Sequence, residues 1–363
     1  MKRLTEFIGT LVCVGFAVIL IRYGNQAAFG AALGIRLCLQ TVIPSLFCFM
    51  VLTEFLVKSG FYRLLSAPLA PVCRHLFRLP EQLGSVVVLS WVGGFPMGAK
   101  SLSNLLEQGD IDPADAQRMM LYCCCAGPSF IITAVGRGMF GNPAAGYLLY
   151  GIQLLVSFCF AVVLGRIHAS TRSTVQLANP PKSLAVYRQS SRAPIGNAFV
   201  LSVNQSVLAM VQMCGFIVLF QVISALLEPI LPQGIARCLL MGALEVTNGC
   251  KLASKLPMGL VYASCFLSFS GISVISQLVG ILQNSSVAIK PFLFSRLLHA
   301  FCSGSLTLLY LRLFPQAAAV FSSCSQPVPL SDANTPALTF CLIMMSALLL
   351  WEIASVERSA RAR

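Results

Sequence analysis

The sequence predicts an all-α polytopic membrane protein, with about eight transmembrane helices and two broken, re-entrant helical hairpins arranged as inverted repeats. Composition is the first reason: 57% of the 363 residues are hydrophobic, 10% are charged, and the mean hydropathy is +0.81. Ordinary soluble domains contain about 45–50% apolar and about 25% charged residues, so we expect lipid around this chain. The formal net charge of +13 falls in short loops between apolar segments, where it orients membrane helices. Nucleic acid is therefore not an expected partner.

A set of glycine and polar residues that occurs twice in the same order is the second reason. The first copy is Gly98-Ala-Lys100, Gly127-Pro-Ser129 and Gly136, and the second copy is Gly249-Cys-Lys251, Gly271-Ile-Ser273 and Gly280. The final interval is nine residues in both copies. Matching, glycine-interrupted apolar segments in two halves indicate a transporter built from repeats around a central site. Chance alignment among the 27 glycines is the alternative.

The first elements are two apolar segments and one amphipathic segment. Residues 7–21 fit a retained transmembrane helix and also fit a cleaved signal sequence. Residues 28–57 predict a long helix that Pro44 kinks. Residues 61–79 mix apolar side chains with Arg and His, which is typical of a segment lying on the membrane surface.

Residues 82–107 predict a re-entrant hairpin rather than a spanning helix. The sequence GGFPMG at 93–98 interrupts this segment, and each side is too short to cross about 30 Å of hydrocarbon. Broken backbone is tolerated at that depth only when protein buries it. Two crossings are expected next, one at 116–139 with an interruption at Gly127-Pro128 and one at 145–166.

The second half repeats this plan after a polar, basic linker at 167–194, which we expect in the cytoplasm. The elements predicted after it are a helix at 197–227, a broken hairpin at 235–256, an interrupted crossing at 258–282, a crossing at 291–311, an outer loop at 315–336 and a last crossing at 339–354. The outer loop contains no Lys or Arg, and the tail that follows is basic. Both termini are therefore predicted to be cytoplasmic, and the second repeat inverted.

These elements divide the chain into five predicted regions. They are an N-terminal transmembrane helix at 1–27, a first repeat at 28–166, a cytoplasmic basic linker at 167–196, a second repeat at 197–312, and an outer loop, last helix and basic tail at 313–363. The expected surroundings are a lipid bilayer, and the expected ligand is a small polar solute.

Helix interruptions inside a membrane are the predicted binding elements. They expose backbone N–H groups that attract anions and carbonyl groups that attract cations. The candidate substrate-binding residues lie at these interruptions or near them: Gly94, Pro96, Gly98, Lys100, Gly127, Ser129, Thr133, Glu245, Thr247, Asn248, Gly249, Lys251, Gly271, Ser273 and Gln277. For the glycines, the alternative is close helix packing, in which small residues are common.

Charged candidates extend this interpretation. Lys100 and Lys251 are expected directly after the two hairpin breaks, where a pair of ammonium groups suits an anion with two carboxylates; the alternative is that each reaches toward water at the interface. Glu245 is expected to bind a coupling cation or carry a proton, or to pair with Lys251 or Lys255. Apart from such a coupling Na⁺ or H⁺, no cofactor is expected.

Motifs for catalysis and metal binding are missing from the sequence. The fifteen cysteines show no C-x-x-C spacing, and consecutive Cys123, Cys124 and Cys125 diverge by about 100° each on a helix. Neither H-E-x-x-H nor a P-loop occurs. We therefore expect no metal site, no catalytic residues and no enzyme activity; an intramembrane serine hydrolase that uses Gly127-Pro-Ser129 is the alternative.

Four further motifs resemble one family of membrane proteins. GGFPMGAKSL at 93–102, AGPSFIITAVGRGMFGNP at 126–143, ALEVTNG at 243–249 and SGISVISQ at 270–277 are similar to the YlbJ family of sporulation integral membrane proteins, and VIPSLF at 42–47 also fits. The resemblance implies two copies of the "nucleoside recognition" or Gate domain, as in concentrative nucleoside transporters and the ferrous-iron permease FeoB. It departs from the family pattern at Cys48 and Phe49, one of which stands where a further Pro is expected, and in the Cys-rich run before Gly127.

This resemblance implies a function as well as a fold. It implies passage of a dipicolinate-like dicarboxylate during endospore formation, in a bacterial cell membrane or a developing-spore membrane. Transport of a nucleoside or another metabolite, and a sporulation scaffold that transports nothing, are the alternatives. Each of these functions is compatible with a homo-oligomer or with partners among sporulation membrane proteins.

Overall fold

The computed structural model describes residues 2–59, 61, 69–107, 111–172, 195–282, 285 and 287–315. Within these ranges all regular structure is helical and no strand occurs. This confirms the predicted all-α class. The predicted last crossing at 339–354, the basic tail and most of the linker at 167–194 lie outside the described residues.

The described part of the first half contains seven α-helices of ten or more residues. They are α1 (Lys2–Arg22), α2 (Gly24–Leu37), α3 (Ile43–Lys58), α4 (Gly84–Gly93), α5 (Phe95–Glu107), α6 (Pro113–Cys123) and α7 (Pro143–Arg172). A π-helical turn at Cys38–Val42 joins α2 to α3, and a π-helix at Ser129–Met139 lies between α6 and α7. Short helical turns at Ala70–Val72, Cys73–Phe77 and Glu81–Leu83 precede α4.

The described second half has the same order of short and long helices. It contains α8 (Ile195–Leu227), α9 (Ile235–Leu244), α10 (Val246–Ala253), α11 (Gly259–Phe269), α12 (Gly271–Leu282) and α13 (Ile289–Leu313). Helix α7 continues to Arg172, which is six residues beyond its predicted end at 166.

Five described stretches are long and apolar enough to cross a membrane: Gly24–Leu56, Pro143–Ile167, Ile195–Leu227, Gly259–Leu282 and Ile289–Leu313. About eight crossings were predicted. Residues 7–21, which lie in α1, and 116–139 are not among the five, and 339–354 is not described. Segment 116–139 fails to form one rod because the chain leaves the helix after Cys123, and the 11 residues of α6 span only about 16 Å.

Outward-facing side chains agree with a lipid environment. On α13, Phe294, Leu297 and Phe301 are exposed along one stripe, whereas Arg296 and His299 are buried on the other face. Such a polar-in, apolar-out helix is unfavourable in water but suits a helix packed between protein and lipid.

The continuous helical stretch Gly24–Leu56, which contains α2 and α3, forms an antiparallel pair with α8. A Cβ on Gly30 would lie 2.8 Å from the Ala225 Cβ, and a Cβ on Gly34 would lie 2.8 Å from the Val218 Cα. Small residues allow this approach of α2 to α8. Farther along the pair, Val42 and Met50 pack against Met210 and Ile217 of α8 in one apolar cluster.

Each hairpin contains one glycine that another backbone touches. A Cβ on Gly249 would lie 2.3 Å from the Gly242 Cα, and one on Gly98 would lie 2.2 Å from the Cys123 carbonyl oxygen. The prediction that Gly249 marks the second break is wrong, because the chain leaves helical geometry four residues earlier, at Glu245. Gly98 likewise lies inside α5, four residues after the break at Gly94. Both repeated glycines therefore serve close helix packing.

Contacts between helices repeat from one half to the other. α5 packs on α12 while α10 packs on the π-helix, α3 touches the π-helix while α8 touches α12, and α6 touches α13 while α11 touches α7. Exchanging the two halves converts each contact into its counterpart. The described helices therefore have an approximately two-fold pattern of contacts, and the inverted orientation of the repeats stays a prediction.

Candidate functional site

Four helix interruptions meet at one cavity of about 50 Å³. Its lining includes six of the predicted site residues: Gly94, Gly127, Glu245, Thr247, Ser273 and Gln277. The remaining lining is mainly apolar and comes from the α2–α3 segment and α8 as well as from the interrupted helices, with Val42, Leu46, Met50, Met213 and Ile217 among its members. The cavity therefore lies where the antiparallel central pair meets both hairpins.

In the first half, two interruptions lie against each other. Gly94 ends α4 with φ 87°, a left-handed conformation that side chains other than glycine rarely adopt. A Cβ there would lie 3.2 Å from the Gly127 backbone nitrogen. The chain is non-helical from Cys124 to Gly127, and helical hydrogen bonding resumes when Ile131 N–H donates to the Gly127 carbonyl at 3.1 Å.

The second half has the corresponding arrangement with different residues. Glu245 separates α9 from α10 in an extended conformation, and Ser270 separates α11 from α12 with φ 81°. A Cβ on Gly271 would lie 3.1 Å from the Val246 nitrogen and 3.5 Å from the Glu245 Cα. In both halves, then, the hairpin break abuts a glycine at the interruption of the next helix.

All four helices that begin at these interruptions point their N-terminal ends at the cavity. They are α5, the π-helix, α10 and α12, and none has an acidic residue in its first turn. Free N–H groups at such ends carry partial positive charge. Only the α10 end has a carboxylate cap among the described residues: Glu245 Oε2 accepts the Asn248 N–H at 2.8 Å, and Oε1 accepts the Thr247 hydroxyl at 2.9 Å.

Ser273 adds a polar group with no partner. Its side chain is 1% exposed and lines the cavity, and its Oγ makes no hydrogen bond within the described part of the chain. A buried hydroxyl left unsatisfied costs roughly 1–3 kcal/mol. A solute or water in the cavity would remove that cost.

Other predicted residues surround the cavity without lining it. The Ser129 hydroxyl donates to the Ser45 carbonyl, and the Thr133 hydroxyl donates to the Ser129 carbonyl. Asn248 donates through Nδ2 to Gln221 and Ser224 of α8. Pro96 lies in the first turn of α5. The Ser129 and Asn248 side chains therefore hold interruptions to neighbouring helices, whereas the Thr133 bond lies within the π-helix.

The two predicted lysines are not brought together. Lys100 Nζ donates to Glu54 Oε1 at 2.7 Å and to Gln205 Oε1 at 3.1 Å, whereas the Lys251 side chain is exposed. Neither lysine lines the cavity. The predicted clamp of two ammonium groups on one dianion is therefore not present in this conformation.

Arg296 is a site-supporting residue that the sequence interpretation missed. It is 1% exposed, and its guanidinium donates to the carbonyls of Leu121 and Cys124, where α6 ends before the Cys124–Gly127 interruption. Those carbonyls lose their helical partners at the interruption. The available signal was an arginine in the middle of the predicted crossing at 291–311, because ionisable residues inside membrane segments usually have a role.

The described part of the chain contains no group of three or more His, Cys, Asp or Glu side chains that could hold a metal ion. The three consecutive cysteines are buried, and the Cys125 Sγ lies 2.9 Å from the Ser157 Oγ. No disulfide forms among the described cysteines.

Comparison with known proteins places this architecture in a family. The chain is 30% identical over 305 residues to the sporulation integral membrane protein YlbJ of Bacillus subtilis (strain 168), and the match covers 75% of each chain. No protein-family model matches the sequence, and no solved structure matches it. The implied links to nucleoside transporters and to FeoB therefore stay predictions. The resemblance seen in the motifs is confirmed: the chain belongs to the YlbJ family of sporulation integral membrane proteins.

Proposed function

We propose that this protein is a transporter or facilitator that carries a small anionic solute, of the dicarboxylate class to which dipicolinate belongs, across a bacterial membrane during endospore formation. The relative's name supports a membrane protein of sporulation. The motif resemblance suggests the dicarboxylate. No catalytic role is part of the proposal.

One observation carries it, the convergence of four helix N-termini on a single cavity. The first turns of α5, the π-helix, α10 and α12 meet there, and each end contributes a partial positive charge of about half an electron. Backbone N–H groups at helix starts bind carboxylates and phosphates directly. Interrupted helices facing each other across a repeat interface are also the arrangement in which transporters bind their solutes.

The cavity is small in the present conformation. A volume of about 50 Å³ accommodates a few water molecules, since by this measure a cavity needs about 10–15 Å³ to hold one water, and a dicarboxylate is larger. Solute entry would therefore require the hairpins to separate from the α2–α3 segment and from α8. The contacts that such a movement would break include Lys100 with Glu54 and Asn248 with Gln221.

Flux measurements in liposomes that contain only this protein test the proposal. We expect uptake of radiolabelled dipicolinate that depends on the protein and saturates with concentration. Ser273→Ala should raise the half-saturating concentration about tenfold or more, because a hydrogen bond to a charged group contributes about 1.5–3 kcal/mol.

Ser206→Ala is the matched control. Ser206 is also fully buried and without a hydrogen-bond partner among the described residues, but it does not line the cavity. Its substitution should leave uptake unchanged. Absence of any uptake by the wild-type protein would contradict transport and favour the scaffold.

A further inference from the structure

Glu245 is the one ionisable side chain in the described lining of the cavity. It is 2% exposed, and no salt bridge joins it to a Lys, Arg or His among the described residues. A carboxylate buried without a cation is unfavourable unless hydrogen bonds compensate or a proton neutralises it. Capping of α10 supplies two hydrogen bonds, and a proton would remove the remaining cost of burying the charge.

Neighbouring elements offer Glu245 no fixed counter-charge. The titratable groups that face it are the thiols of Cys38, in the π-helical turn, and Cys250, on α10. The facing residues of the other helices at the cavity are uncharged, including Gly94, Ser273 and Gln277. Its charge is therefore balanced only by the N–H and hydroxyl groups at the start of α10.

The hydrogen-bond geometry accepts either protonation state. Oε2 accepts the Asn248 N–H and can do so as a carboxylate or as the carbonyl oxygen of the acid. Oε1 accepts the Thr247 hydroxyl, and a hydroxyl can also accept a hydrogen bond. On protonation the Thr247 contact simply reverses its direction. Both states keep the two contacts that join Glu245 to the start of α10.

An anion in the same cavity would interact strongly with the Glu245 charge. Repulsion between two unit negative charges about 6 Å apart, at an effective dielectric constant of about 20, lowers the affinity of the cavity for the anion roughly 100-fold. Protonation of Glu245 removes that penalty and leaves the remaining helix ends free to bind the solute. By linkage, a bound anion favours proton uptake by the same factor.

We propose that Glu245 is a proton-binding site and that each anion crosses the membrane together with one proton bound to the Glu245 carboxyl group. The protein would then be a proton–anion symporter. The proton comes from water on the side where the solute enters, and it leaves with the solute on the other side. This inference rests on the proposed function and adds the coupling ion to it.

The test uses the full-length protein in liposomes, with radiolabelled dipicolinate outside, a pH-sensitive dye inside and the membrane potential clamped by potassium and valinomycin. An inside-alkaline pH gradient should accelerate wild-type uptake several-fold, and dipicolinate entry should acidify the interior. Glu245→Gln keeps an oxygen that can accept the Asn248 N–H. We expect this variant to transport dipicolinate downhill at a rate independent of the gradient, without moving protons.

Glu228→Gln is the control for the same chemical change. Glu228 lies in the exposed turn after α8, pairs with Arg237 at 3.0 Å and does not line the cavity. It should retain wild-type coupling. Wild-type flux that ignores the pH gradient, flux driven by a sodium gradient instead, or proton movement that persists in Glu245→Gln would each overturn the proton site while leaving transport intact. Wild-type protein with no dipicolinate flux would instead refute the proposed function, and the symport inference with it.

Discussion

Gly249→Ala should show that glycine packing inside the second hairpin supports the site. The added Cβ would lie 2.3 Å from the Gly242 Cα and 2.8 Å from the Phe266 ring, whereas carbon atoms pack at about 3.5–4.0 Å. The first contact is with backbone, so α10 must move away from α9 by about 1 Å or more. Overpacking of this kind costs up to about 3 kcal/mol, and the better helix propensity of Ala returns about 1 kcal/mol. The expected net destabilisation is about 2 kcal/mol.

A fluorogenic thiol dye can measure this change in detergent, because Cys123, Cys124, Cys125 and Cys250 are buried and react only on unfolding. On the scaling of 150–250-residue domains, a loss of about 2 kcal/mol lowers the unfolding midpoint by roughly 4–8 °C. The control is Gly280→Ala, since nothing lies within 4 Å of that added Cβ, and its midpoint should stay or rise. Equal midpoints for the two variants would refute the packing argument.

Two further predictions concern charged residues beside the site. Lys100→Ala leaves the 7%-exposed Glu54 side chain without its cation, so we expect the free energy of unfolding in the thiol assay to fall by about 1–3 kcal/mol. This is less than the roughly 3–5 kcal/mol of a fully buried pair, because the Lys100 side chain is 28% exposed. Solute affinity should change little in this variant. Lys251→Ala, at an exposed position, should change neither stability nor solute affinity. A tenfold loss of affinity in both lysine variants would support the two-lysine clamp after all. Arg296→Leu removes the guanidinium donors from the carbonyls at the end of α6 and should destabilise the protein by about 1–3 kcal/mol. Arg296→Gln should recover part of this stability. Identical unfolding midpoints for the two variants would contradict the role of Arg296 in satisfying those carbonyls.

Local signals were sufficient to predict helical class and the approximate positions of the interruptions. Composition predicted lipid around the chain. The Gly93–Gly94 pair predicted a helix break, which the structure has at Gly94, where φ is 87°. The second break was misplaced because its residue, Glu245, is neither Gly nor Pro. Its extended conformation is held by hydrogen bonds to Thr247 and Asn248, and side-chain capping of this kind is weaker as a sequence signal than glycine.

Side-chain environments were predicted less well than backbone positions. Matching spacing correctly suggested that Lys100 and Lys251 are counterparts, since each lies six residues after its hairpin break. It could not show that Lys100 finds partners 46 and 105 residues away, at Glu54 and Gln205. Contacts across such separations depend on how helices pack and not on local pattern. The same holds for Arg296, whose carbonyl partners are 172 and 175 residues away.

The two halves share a geometry but differ in chemistry, and that difference bears on mechanism. At equivalent hairpin breaks, the first half has Gly94 and the second half has Glu245. The start of α5 is therefore open to an anion, whereas the start of α10 already holds a carboxylate. A fully symmetric site would offer a solute the same environment at both breaks. In this asymmetric site, the start of α5 suits the proposed solute and the start of α10 suits the proposed proton. Solute binding and proton binding can be coupled when both ends face the same cavity, as they do here.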